Sequence, residues 1–126
     1  MVVQEQLELF DKPHTLQMLL NKQEEFGKKF TNFGGLNEQE TQEKLLEFIG
    51  HTIEELTEMR MELPIRKHWS SKKSYSPDWG KVKEELIDVL HFMLTLFLVL
   101  EMDENEICGL YLAKNSINHM RQKEDY

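Results

Sequence analysis

At 126 residues and a formal net charge of −8, the chain is long enough for one domain with one core, and it lacks the basic stripe needed to bind along a nucleic-acid strand. Cys108 is the only cysteine, which excludes an intrachain disulfide framework and a thiolate-rich metal site. Residues 1–126 are therefore read as a single domain of a cytoplasmic protein with no nucleic-acid partner. The opening Met-Val-Val-Gln-Glu-Gln-Leu-Glu has neither the basic start nor the apolar centre of a signal peptide. The most apolar run, Val89 to Leu100, is interrupted by His91 and Thr95 and falls short of the ~20 residues of a bilayer span, so no membrane partner is expected.

Three prolines and six glycines punctuate the sequence, and the stretches between them repeat with helical rather than alternating periodicity. An all-α fold, a bundle of four to five helices, is the expectation. A first helix is predicted from about His14 to Phe30, closed by Phe33-Gly34-Gly35. Asn37 with Glu40 has the spacing of a capping box and opens a second helix, predicted to reach Leu63 before Pro64. Its apolar stripe is Leu45, Ile49, Ile53, Leu56, Met59 and Leu63. A basic and aromatic connection follows, from Arg66 to Trp79. The third helix is predicted to start near Pro77 with Ser76 as cap and to end at Met102. Asp103 and Glu106 repeat the capping spacing and open a fourth helix. Val89 to Leu100 is apolar nearly all round, which four short helices can hardly cover, and a homodimer is expected.

The chemistry concentrates in acids. Glu55 and Glu58, three apart on the second helix, share a face; Glu85 and Asp88 repeat the arrangement on the third. Antiparallel packing of the two helices brings the four carboxylates to one edge of the core, where they repel one another unless a cation intervenes. Magnesium suits such a site, because it takes oxygen ligands and keeps positions open for water and phosphates. The bland alternative is four solvated acids. A di-iron or di-manganese site is disfavoured, since it calls for Glu-x-x-His on two helices and only Asp88-x-x-His91 comes near.

Glu55-Leu-Thr-Glu58, Lys67-His68-Trp69, the run Asp78 to Phe92 and the closing run Tyr111 to Tyr126 together resemble the dimeric all-α dUTPases, within the wider all-α nucleoside triphosphate pyrophosphatases. The resemblance implies that Glu55, Glu58, Glu85 and Asp88 are the catalytic magnesium ligands. It implies that Trp69, His91 and Phe92 surround the base and deoxyribose, that Gln23 reads the base edge, and that Lys67, Lys114, Asn118, Arg121 and Tyr126 belong to the substrate site, with the residues of the closing motif on the phosphates. The implied reaction is magnesium-dependent hydrolysis of the deoxynucleoside triphosphate dUTP to dUMP and pyrophosphate by an activated water, which one of the four acids or Glu62 orders. Arg66 stands where many relatives have an aromatic, Asp125 replaces a glycine, and Phe26 occupies the place of a base-contacting Asn. Two rivals stand beside this reading: a broader pyrophosphatase acting on dCTP or modified nucleotides, and a non-catalytic helical interaction module.

Overall fold

The computed structural model describes residues 13–64 and 76–124. Four helices make up the described residues, with no strand among them: α1 (Leu16–Gly27), α2 (Glu38–Met61), α3 (Trp79–Val99) and α4 (Glu104–Lys123). No described helix is long and apolar enough to cross a membrane.

Each helix starts where a side chain can take up a free N–H of its first turn. Thr15 accepts from the Met18 amide at 3.1 Å. Asn37 and Glu40 form the full reciprocal box, at 2.8 and 3.2 Å. Asp103 accepts from the Glu106 amide at 2.9 Å. For α3 the cap is Asp78, bonded to the Lys81 amide at 3.2 Å, and not Ser76, so the helix begins two residues past Pro77. The first helix is shorter than its apolar spacing predicts. Phe30 lies in the turn beyond Gly27, where a Cβ would run into the ring of the buried Phe33.

The third helix also stops early, at Val99. The Glu101 amide bonds the Leu98 carbonyl at 3.0 Å and the Met102 amide bonds the Phe97 carbonyl at 2.9 Å. That pair of bonds is a Schellman closure, and Glu101 holds the left-handed position, at φ 55°, that glycine usually takes. An L side chain there costs on the order of 1 kcal/mol. Glu101→Gly is therefore expected to raise thermal stability by about 1 kcal/mol, read as an upward shift of the melting temperature; an unchanged or lower value would contradict this account of the helix end.

α3 is the central element. α2 packs along one side of it, α1 along another, and α4 meets only α1 among the described elements. Glu62 at the end of α2 pairs with Lys81 at the start of α3, while Phe48 and His51 further back on α2 meet Phe92 further along α3, so the two helices are antiparallel. Leu20, Phe33, Val82, Val89, Leu94 and Val99 form the core. Gln17 joins α1 to the start of α4: its side-chain oxygen accepts from the Glu104 amide at 3.0 Å, filling another free donor of that first turn. Much of the apolar stripe predicted for α2 remains exposed, including Ile49, Ile53 and Leu56.

Candidate metal centre and adjoining groove

The antiparallel pairing of α2 and α3 sets the acids of one helix against those of the other. Glu55, Glu58 and Glu85 each offer a carboxylate oxygen to a group in which all lie within 4.8 Å of one another. Asp88, expected as a fourth member, is exposed and outside this compact trio, although its charge is felt by Glu55.

Glu55 carries the strain of the cluster. Burial first, then a hydrogen bond with Glu85, then the negative charges of Glu58, Asp88 and Glu85 lift its carboxyl from 4.5 to about 7. Glu55 Oε2 and Glu85 Oε2 are both buried without a hydrogen-bond partner. Buried carboxylate oxygens that lack donors are costly unless a cation satisfies them. An all-oxygen donor set of this kind fits a hard divalent ion such as magnesium, with Glu55, Glu58 and Glu85 as the residues able to hold it. Glu62, considered above for ordering the water, is engaged instead by Lys81 at 3.2 Å, and that contact holds the lysine's pKa above its ordinary value.

Around α3 from the acids lies a groove of about 860 Å³ between α1 and α3, within the range of pockets that take small ligands. Gln23 and His91 both line it, together with Leu19, Phe26, Leu90 and Leu94. Two residues expected at one site are thus in one cavity, and His91 is one turn from Asp88 along α3. Phe92 faces elsewhere. It stacks on His51 with centroids 5.3 Å apart and also meets Phe48 at 6.1 Å, in the seam with α2. Neighbouring residues on a helix are about 100° apart, so His91 and Phe92 address different sides of α3.

His51 was not singled out from the sequence, although it precedes Glu55 by four residues and so shares its face. Lys67, Trp69 and Tyr126 lie outside the described residues. Lys114, Asn118 and Arg121 are all on α4, which packs against neither α2 nor α3, so a single chain does not bring them to the acids.

Residues 15–105 match the model of a family described as dUTPase, covering α1 to α3 and the first two residues of the last helix. The chain is 44% identical over 49 residues to a dCTP pyrophosphatase of Enterobacteria phage T4, an alignment spanning 39% of this chain and 29% of that protein. It is 39% identical over 69 residues to a dCTP pyrophosphatase of Enterobacteria phage LZ5, spanning 50% of this chain and 40% of that protein. The chain thus covers less than half the length of these relatives. No solved structure matches it.

Proposed function

This chain belongs to the dUTPase family, and from that premise we propose that it is a magnesium-dependent pyrophosphatase that hydrolyses dUTP to dUMP and pyrophosphate. The observation that carries the reading is the trio Glu55, Glu58 and Glu85, with two buried oxygens lacking donors; a groove of about 860 Å³ lies around α3 from it.

Glu55, Glu58 and Glu85 would hold the ion, and Asp88 adds negative charge at the margin of the cluster. When bound, magnesium supplies water activation and neutralisation of phosphate charge. The chain's own residues supply the rest. The groove between α1 and α3 takes the base, with the Gln23 amide on its edge and His91 on the wall nearer the acids, so that the triphosphate runs toward the α2–α3 seam. The Lys81–Glu62 pair ties the ends of the two acid-bearing helices together and keeps the carboxylates in register.

The phosphate-binding roles of Lys114, Asn118 and Arg121 require a homodimer in which α4 of one copy reaches the acids of the other. The exposed Leu110, Leu112, Ile117 and Met120 on α4, and Ile49, Ile53 and Leu56 on α2, support such an assembly. One specific observation favours a second substrate. Both relatives are named dCTP pyrophosphatases, and an amide can in principle read either pyrimidine.

The test is kcat/KM for dUTP, dCTP, dTTP and UTP. We expect dUTP to be preferred over dTTP and UTP by at least about 100-fold, with dCTP second, because a site built on hydrogen bonds penalises a base that leaves them unmade. Equal values for all four would remove the dUTPase reading and leave a general pyrophosphatase.

A further inference from the structure

Thr95 is a polar residue in the middle of the most apolar stretch of the chain, and it is 1% exposed. Its hydroxyl donates to the His91 carbonyl one turn back, at 3.1 Å, and accepts from Gln23 Nε2 of α1, also at 3.1 Å. A threonine hydroxyl has one hydrogen and two lone pairs. With the hydrogen spent on His91, whatever reaches Thr95 from α1 has to be a donor. The NH₂ end of Gln23 therefore faces Thr95, and the carbonyl end is left to the groove. Turning the amide over would set two oxygens against each other, or force Thr95 to abandon His91.

We propose that Thr95 is a positioning residue that fixes the orientation of the Gln23 amide, so that the groove between α1 and α3 offers a fixed carbonyl acceptor to a pyrimidine edge. The inference rests on the proposal above that this groove takes a pyrimidine deoxynucleotide. Its consequence is base selectivity. Uracil presents a ring N–H and cytosine an exocyclic amino group, and these donors lie at different points of the ring. An acceptor held in one place meets one of them well. An amide free to turn meets either edge.

The substitutions that separate this role from plain packing are Thr95→Val, which keeps the branched shape without the hydroxyl, and Thr95→Ser, which keeps the hydroxyl. The readout is the ratio of kcat/KM for dUTP to that for dCTP, measured in the full chain with magnesium. In Thr95→Val we expect the ratio to move toward one by about fivefold, the preference that one hydrogen bond confers, through KM more than kcat. Thr95→Ser retains the unmodified ratio. A Thr95→Val enzyme with the original ratio, even if less stable, would show a structural tie only and overturn the inference. So would an unmodified enzyme that does not discriminate between the two.

A chain that hydrolyses neither nucleotide would refute the proposed function instead. The amide orientation is then read directly by nuclear magnetic resonance in the unmodified protein, which also serves if Thr95→Val does not fold. One Gln23 side-chain proton should exchange with water about tenfold more slowly than that of free glutamine, as expected for an amide donor held on a buried hydroxyl. Exchange at the free rate overturns the inference.

Discussion

Glu55→Gln is expected to lower kcat by about 1,000-fold, the several kcal/mol that a metal centre contributes to phosphoryl-transfer chemistry, while making the metal-free protein more stable at neutral pH and above. Both effects have one cause. Glu55 is grouped with Glu58 and Glu85, feels the charge of Asp88, and has its carboxyl raised from 4.5 to about 7. A group whose folded pKa lies above its unfolded value contributes stability that is complete below the unfolded value and is lost as pH rises through the folded one. Metal-free wild-type protein should therefore lose stability between about pH 4.5 and pH 7 as Glu55 ionises. Glutamine keeps the shape and cannot ionise, so the variant loses this part of the pH dependence. Thermal unfolding in chelator from pH 4 to pH 9 checks it: the two melting curves should coincide in acid, separate between about pH 4.5 and pH 7, and stay apart above that, with the variant higher. Added magnesium should raise the wild-type melting temperature and shift the variant much less, because the amide removes one of the three carboxylates proposed to hold the ion. A variant that retains wild-type turnover, or wild-type protein that is most stable at high pH without metal, would contradict the role given to the cluster.

Ile53→Asp is expected to convert a dimer into a monomer at micromolar concentration. In the single chain Ile53 is 57% exposed, between Ile49 and Leu56 on the outer face of α2. At such a position a charge costs the isolated helix only a few tenths of a kcal/mol. In an interface it buries an unpaired carboxylate, which is far more costly. The expected result by light scattering is about 30 kDa for the unmodified protein, twice the 15.1 kDa of one chain. The variant should give a single-chain mass with unchanged helical circular dichroism. Its activity should fall as well, if Lys114, Asn118 and Arg121 serve the neighbouring copy. An unmodified protein that runs as a monomer, or an Ile53→Asp variant that remains dimeric, would contradict this interface.

Part of the apolar run Val89 to Leu100, from which a homodimer is expected, is unsuitable for such a charge. Leu94 and Val99 are core residues, and a charge there would unfold the chain rather than divide a dimer. Periodicity identifies apolar positions; which partner covers them depends on how the helices are rotated, and that is set by packing across the whole chain.

Local chemistry was legible and non-local placement was not. The Asn37–Glu40 box and the Asp103 cap could be read because their partners are three residues away. The end of α3 was overshot because its Schellman closure uses Glu101 where a glycine would have announced it. The two acid pairs were legible from helical spacing, whereas the finding that Asp88 stays outside the compact trio depends on the crossing of α2 and α3. Thr95 could be noticed only as a break in an apolar run. Its hydrogen bond to Gln23 joins residues 72 apart, and no local pattern signals that pairing.

The role proposed for the acidic trio is the release of pyrophosphate from a pyrimidine deoxynucleoside triphosphate. The most direct test is phosphorus magnetic resonance of dUTP and of dCTP incubated with the protein, with magnesium and with chelator. The triphosphate signals are expected to give way to monophosphate and pyrophosphate signals, with no diphosphate or orthophosphate, only when magnesium is present and not with Glu55→Gln. An unchanged triphosphate spectrum, or release of orthophosphate with a nucleoside diphosphate, would contradict it.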